Sequence, residues 1–222
     1  NQLDKDEADF DRTLQEAKTH FGNNVVAVQY PVQTGAGFNS IVDVLNMVMY
    51  QYGPEGGKPQ KLPIPDSEKE RADTLHKELI EAIASNDEGL MEKYFDKGEL
   101  TEEEMKDGLH SSMIKHDIFP VFCASAEKNM GLGRIMSFID YVCPAPTEMP
   151  AQKTKAGGEL PCDVKGPTCI FIFKTIIEPH IGELSLFKVY SGTLKTGVEL
   201  VNENTGVTEK FNQLFLMEGH NR

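Results

Sequence analysis

Apolar residues recur first at helical spacing and then at strand spacing in the early part of the chain. The stretch 7–21 carries one apolar face and predicts an amphipathic helix that ends at Gly22, because glycine accepts left-handed backbone angles. That face consists of Phe10, Leu14, Ala17 and Phe21. The β-branched run at 25–30 predicts a strand. Residues 40–50 predict a further strand that pairs back to it as a hairpin, with a helix as the alternative for part of the run.

Three helices are predicted after residues 53–65, which are rich in Pro and Gly and predict a loop. The first helix opens at Asp66 and the second covers 87–96. The third starts at Thr101, where Glu104 stands three positions later, the spacing of a capping box. The predicted inner faces of the three helices are, in order, Ala72, Leu75, Leu79, Ile80, Ala82 and Ile83; Leu90, Met91, Tyr94 and Phe95; and Met105, Leu109 and Met113.

The pattern changes twice in the second half of the chain. The apolar run 118–125 predicts a buried parallel strand, and a final helix follows it. The apolar stripe of that helix consists of Leu132, Ile135, Met136 and Ile139. Residues 147–160, which come after Pro144 and Pro146, form a predicted linker. Residues 161–222 alternate between apolar and polar positions with regularly spaced Gly, which predicts antiparallel strands that close as a barrel.

Composition is typical of a globular cytoplasmic protein. The chain has 222 residues, 39% hydrophobic and 26% charged, which allows one or two domains. No apolar run approaches the roughly 20 residues of a membrane span, so no membrane partner is expected. No signal peptide is visible and Asn1 is not an initiator residue, so we expect the true start of the protein to lie upstream. The four cysteines show no metal-site spacing and are expected to be reduced thiols.

Negative charge is concentrated in the three predicted helices. The formal net charge is −13, and residues 66–107 hold 15 Asp and Glu against 6 Lys and Arg, a net of −9. Such a segment would repel nucleic-acid phosphates. It suits either a solvated surface or the capture of a basic protein partner.

The first four residues carry the sharpest candidate chemistry. Asn1-Gln2-Leu3-Asp4 places an amide and a carboxylate three positions apart, which can face one flat heterocycle. The Asp4 carboxylate can accept two hydrogen bonds from the guanine edge, whereas adenine offers no such pair of donors. Ser125 and Ala126 would close the other side, with a backbone N–H directed at the guanine carbonyl oxygen. Alone, the motif is also typical of a helix start rich in Asn and Asp.

The wider sequence resembles elongation factor G. The resemblance is carried by Asn1-Gln2-Leu3-Asp4, by the run Phe-Pro-Val-Phe-Cys-Ala-Ser-Ala-Glu-Lys-Asn-Met-Gly at 119–131, by Pro144-Ala145-Pro146 and by Phe-Lys-Val-Tyr-Ser-Gly at 187–192. It extends over essentially the whole chain and is strongest to the second, elongation-factor-G-like paralogue group of some bacteria.

This resemblance implies an α/β fold with two domains. Residues 1–146 would be the C-terminal part of a P-loop GTPase domain with an α+β subdomain inserted at about 25–116. Residues 147–160 would be the linker, and residues 161–222 would be part of the antiparallel β-barrel called domain II. The implied ligands are GTP and GDP, with Mg²⁺ in the intact protein bound by segments outside this chain.

The implied function is that of a ribosomal translocation factor, a translational GTPase. Its expected partners are the ribosome, the large-subunit stalk protein and, through domain II, ribosomal RNA. In the family the insertion meets the stalk protein, so Glu70, Glu78 and Glu81, which project away from the predicted apolar face, are candidate contacts. Lys128 is expected beside the ribose. No catalytic residue and no metal ligand is assigned within the chain.

Two departures from the family pattern bear on activity. Gln2 stands where the family has a Lys whose amine braces the phosphate loop, so that positive charge is missing. The phosphate-loop pattern Gly-x-x-x-x-Gly-Lys-[Ser/Thr] does not occur in the sequence, so hydrolysis by this segment alone is not expected. The alternative function is an auxiliary ribosome-binding factor that binds nucleotide weakly or does not hydrolyse GTP.

Overall fold

A computed structural model describes residues 1–155, 157–178 and 182–217. The chain divides into two compact units, Asn1–Pro144 and Ala145–Arg222. The first is mixed α/β and the second consists of short antiparallel strand pairs.

The first unit begins with the predicted helix and a parallel strand pair. Helix α1 spans Phe10–Phe21, and the Asp9 side chain caps it by accepting the Arg12 N–H at 2.9 Å. Strand β1 (Val25–Ala27) pairs in parallel with β6 (Phe119–Val121). The helix and the parallel pairing are thus confirmed. The predicted burial of the run 118–125 holds at Ile118 and Cys123, whereas β6 pairs on one side only among the described residues and leaves Phe119 42% exposed.

A four-stranded antiparallel meander follows β1 in the chain. Its strands, in spatial order, are β2 (Gln29–Pro31), β3 (Ser40–Asp43), β4 (Val48–Gln51) and β5 (Gln60–Leu62). The predicted hairpin back to 25–30 is confirmed. A single strand over 40–50 is wrong, because the Asp43 carboxylate accepts the Asn46 N–H at 2.9 Å and Met47 takes a positive φ of 50°, which turns the chain. The predicted loop at 53–65 is wrong where β5 forms, since that strand pairs with β4.

Three helices cover the acidic part of the chain as predicted. They are α2 (Asp66–Ala84), α3 (Glu88–Lys97) and α4 (Glu102–Lys115). They pack closely at Gly108, where an added Cβ would lie 2.3 Å from Ile83 and 2.8 Å from Leu90. The inward placement of Phe95 is wrong, because this ring is 78% exposed while Leu90 and Tyr94, four positions apart, share the packed face of α3.

The last helix of this unit buries a different residue from those predicted. Helix α5 spans Leu132–Tyr141, and only Phe138 is buried in it. Its ring packs edge-on against Phe122, with centroids 4.7 Å apart. The predicted stripe is wrong at Met136 and Ile139, which are 64% and 51% exposed, because the helix turns the Phe138 side toward the unit.

The described residues of the second unit form three two-stranded antiparallel sheets. They join β7 (Gln152–Lys153) with β8 (Glu159–Leu160), β9 (Cys169–Glu178) with β10 (Gly182–Ser191), and β11 (Glu199–Val201) with β12 (Thr208–Lys210). The first pair is a hairpin inside the predicted linker. The antiparallel pattern is confirmed, whereas the closed barrel is not, since the described residues form no closed sheet. Residues 179–181 and 218–222 of the predicted barrel domain lie outside the described residues.

Neither a membrane-spanning helix nor a metal-binding cluster is found in the described part of the chain. None of its helices combines the length and apolar content needed to cross a bilayer. No group of three or more His, Cys, Asp or Glu side chains is arranged to hold an ion.

The capping box of α4 offers a direct test of this helix start. Thr101 Oγ1 accepts the Glu104 N–H at 3.2 Å, and Glu104 Oε2 accepts the Thr101 N–H at 2.9 Å. We expect Thr101→Ala to cost about 1 kcal/mol locally, so that the first-turn amides exchange with deuterium about fivefold faster. Ser111→Ala, at an exposed position of the same helix, is the control and should leave that exchange unchanged. Equal exchange in the two variants would contradict the cap.

The same box has a defined pH dependence. Contacts with Lys93 and Thr101 lower the pKa of Glu104 to about 2 from 4.5. Because the folded-state pKa is depressed, the stabilisation by Glu104 is present above pH 4.5 and is lost as the pH falls toward 2.

Candidate functional site

The two segments proposed to contact guanine lie side by side at one edge of the first unit. The Leu3 N–H donates to the Ala124 carbonyl at 3.4 Å, and the Ala126 N–H donates to Asn1 Oδ1 at 3.0 Å. The chain therefore brings together residues that are separated by 125 positions in sequence.

Asp4 is the buried acidic group of this site. Its side chain is only 3% exposed, and its Oδ1 atom has no hydrogen-bond partner among the described residues. A hydrogen bond from the Ser125 side chain, helped by the charges of Lys5 and Lys128, holds the pKa of Asp4 below its ordinary value. The carboxylate is therefore ionised at neutral pH and retains one free acceptor atom.

Ser125 connects Asp4 to the turn that follows β6. Its hydroxyl oxygen accepts the Lys128 N–H at 3.3 Å, and its backbone forms an isolated bridge with Met130. The Asn129 N–H donates to the Ala126 carbonyl at 3.2 Å, which closes the turn. Lys128 thus contacts the site through its backbone N–H.

A pair of charged side chains that the sequence analysis did not assign also joins the two segments. Lys5 Nζ lies 2.6 Å from Glu127 Oε2 and 3.6 Å from Asp4 Oδ2. The Glu127 carboxylate raises the pKa of Lys5. The signal that could have found this pair is the opposite charge next to each motif, because two adjacent motifs bring their flanking residues together as well.

The remaining predicted residues lie at the surface. Gln2 is exposed and has a left-handed φ of 64°. Glu70, Glu78 and Glu81 are exposed on α2. Glu78 Oε2 lies 3.5 Å from Lys18 Nζ of α1, so one of the three acids already has a cationic neighbour.

Comparisons with known proteins identify similar sequences and a similar fold. The family model for elongation factor G domain 2 matches residues 167–222. The curated protein "Elongation factor G 2" of Syntrophomonas wolfei subsp. wolfei (strain DSM 2245B / Goettingen) is 30% identical over 228 residues, covering 100% of this chain and 33% of that protein. A crystal structure of a Thermus thermophilus protein superimposes with a TM-score of 0.72 at 26% identity, covering 99% of this chain and 30% of that one.

The fold is a mixed α/β unit followed by antiparallel strands. The resemblance to elongation factor G is confirmed, and the chain corresponds to a segment of such a factor. It spans about a third of the length of the curated relative that it matches.

Proposed function

We propose that this chain is the part of a ribosomal translocation factor, a translational GTPase of the elongation factor G type, that recognises the guanine of GTP and GDP. The intact protein would act in the cytoplasm on the ribosome. The observation that carries this proposal is the Asp4 carboxylate, which is buried and ionised and whose Oδ1 atom has no hydrogen-bond partner in the described part of the chain.

A guanine base fits that acceptor. Its ring N–H and exocyclic amine are adjacent donors, and a buried carboxylate gains two charge-assisted hydrogen bonds from them. Adenine offers a ring acceptor at the matching position, so the Asp4 oxygen would stay desolvated and unpaired. Such a mismatch is the kind that gives large discrimination between ligands.

The other side of the base would meet Asn1 and Ala126. The Ala126 N–H, proposed to face the guanine carbonyl, donates to Asn1 Oδ1 here. A guanine carbonyl would have to replace the Asn1 oxygen on this N–H, which would release the Asn1 amide to contact the base. Phosphate and Mg²⁺ binding would require groups that this segment does not contain, since its sequence lacks the phosphate-loop pattern.

Exchange of the Asp4 carboxylate for an amide tests guanine recognition. We expect Asp4→Asn in the full-length protein to weaken GDP binding at least tenfold, because the amide N–H₂ then meets the guanine donors. Binding of xanthosine diphosphate should improve, since xanthine has a carbonyl oxygen where guanine has its amine.

Equilibrium titration with fluorescent GDP and with xanthosine diphosphate measures both effects. Asp6→Asn, two positions along and exposed, is the matched control and should bind GDP normally. Unchanged GDP affinity in Asp4→Asn would contradict guanine recognition at this residue.

The acidic helices support a second part of the proposal, contact with the stalk protein of the large ribosomal subunit. Glu70 and Glu81 are exposed on α2, in a segment with a net charge of −9. Opposite charge on a partner would accelerate encounter at low salt.

Contact of residues 161–222 with ribosomal RNA belongs to the same proposal by resemblance. The comparisons give no support to the alternative of an auxiliary ribosome-binding factor that binds nucleotide weakly or does not hydrolyse GTP.

Charge reversal on α2 tests the stalk contact. We expect Glu70→Lys with Glu81→Lys to lower stalk-dependent stimulation of GTP hydrolysis at least threefold at low salt, and less at high salt because charges are then screened. Glu78→Lys needs a separate measurement, since it would also place a cation beside Lys18.

Ribosomes with and without their stalk protein provide the measurement. Glu92→Lys, a reversal at an exposed position of α3, is the control for net charge. If stalk-dependent stimulation of GTP hydrolysis were the same in the α2 variant as in this control, the assignment of the contact to α2 would be wrong.

A further inference from the structure

Two turns of the inserted segment make backbone hydrogen bonds to the two proposed guanine-contacting segments. The Gly35 N–H donates to the Leu3 carbonyl at 2.8 Å, one residue before Asp4. The Gly57 N–H donates to the Asn129 carbonyl at 2.9 Å, in the turn that begins at Ser125. The insertion therefore touches both segments at the backbone.

The turn that makes the second contact leaves no space for a side chain at Gly56. A Cβ atom on Gly56 would lie 1.8 Å from the Lys128 carbonyl oxygen and 3.0 Å from that of Asn129. The neighbouring Gly57 has an equally left-handed backbone, with φ +79° against +67° for Gly56, yet nothing lies within 4 Å of its added Cβ. Of these two glycines, only Gly56 must lack a side chain because the Lys128 carbonyl lies so close to it.

The first contact depends on backbone angle. Gly35 has φ +76°, and an added Cβ would meet only ordinary contacts, 3.8 Å from Lys5 O and from Asp6 Cα. Glycine adopts this angle without steric cost, and asparagine tolerates it better than other side chains do. A β-branched residue would shift the turn and its N–H away from Leu3.

We infer that Gly35 and Gly56 are positioning residues for the guanine site, through which the inserted segment fixes Asp4 and sets guanine affinity. Gly56 acts through a short chain of contacts. Its backbone packs against the Lys128 carbonyl, and the Lys128 N–H donates to Ser125 Oγ. Ala124, next to Ser125, accepts the N–H of Leu3, which precedes Asp4. Gly35 acts through the Leu3 peptide. This inference rests on the proposed function.

A matched pair of substitutions in the full-length protein tests it. Gly56→Asn and Gly57→Asn place the same side chain on adjacent left-handed residues, but only the first collides with the Lys128 carbonyl. We expect Gly56→Asn to bind fluorescent GDP about tenfold more weakly than Gly57→Asn and to release it faster, the loss typical of one displaced hydrogen bond. Equal affinity in the two variants would overturn the role of Gly56.

The preference for GDP over inosine diphosphate separates positioning from general damage. Hypoxanthine lacks the exocyclic amine of guanine, so this preference reports how well Asp4 faces the base. The preference should fall in Gly56→Asn and stay at the unsubstituted value in Gly57→Asn. If Gly56→Asn weakened the binding of GDP and of inosine diphosphate by the same factor, Gly56 would support only the fold. That result would also overturn the inference.

A second pair keeps the test decisive if Gly56→Asn fails to fold. Gly35→Val should weaken GDP binding and lower the same preference, while Gly35→Asn should retain both, since it tolerates the angle and keeps the N–H. Identical behaviour of these two variants would overturn the inference. Failure of the proposed function looks different, because Asp4→Asn would then bind GDP as the unsubstituted protein does.

Discussion

The pairing of β1 with β6 is the interaction on which the first unit depends. Val25 stands opposite Phe119, and the ladder continues as the Val28 N–H donates to the Val121 carbonyl at 3.1 Å. Beyond it, the buried Gln29 accepts the Cys123 N–H at 3.3 Å through its side-chain oxygen. This register delivers Ser125 to Asp4, and a slip by one residue would turn each side chain of the strand to the opposite face.

The segment between β1 and β6, which the sequence predicts to be an insertion, is folded in a way that favours this pairing. A flexible connection of about ninety residues would cost about 4 kcal/mol in closure entropy before any constant term. The meander instead folds back on the start of this segment, since the Val44 N–H donates to the Val28 carbonyl at 3.0 Å. Arg134 Nη2 of α5 also lies 3.2 Å from Oδ2 of the buried Asp43 of β3. The same guanidinium stacks over the Tyr50 ring, so both contacts join this segment to the last helix. The subdomain is therefore part of the structure that supports the site.

Local sequence patterns predicted the starts and ends of helices well. They predicted less well which side chains are buried and where a strand breaks. The capping box at Thr101 and the helix stop at Gly22 are local features, and both appear in the structure. The strand break at Asp43 depends on one side chain bonding its own turn, which alternation of apolar residues does not reveal. Phe95 shows the same limit, because an apolar residue at the margin of a helical face is buried only if a neighbour reaches it.

The candidate site could be predicted from sequence only at the residues that its two motifs contain. The two motifs do meet, since the Leu3 N–H donates to the Ala124 carbonyl and the Ala126 N–H donates to Asn1 Oδ1. The roles of Gly35 and Gly56 could not be found in this way, because a glycine in a loop gives no sign of which distant carbonyl lies against it. Their meaning depends on contacts across more than thirty and seventy positions, which only the folded chain shows.

The state of Asp4 connects this architecture to selectivity. A buried carboxylate oxygen without a partner is unfavourable, and the fold offsets that cost through Ser125 and nearby cations rather than by pairing every lone pair. The free acceptor is thus held in place before any ligand arrives. A ligand with two suitably placed donors recovers the lost hydrogen bonds without reorganising the site, while one that lacks them leaves the oxygen unpaired. In the proposed guanine site, rigid support of the two loops would therefore favour selectivity as well as affinity, because a mobile Asp4 could turn to water and escape the mismatch.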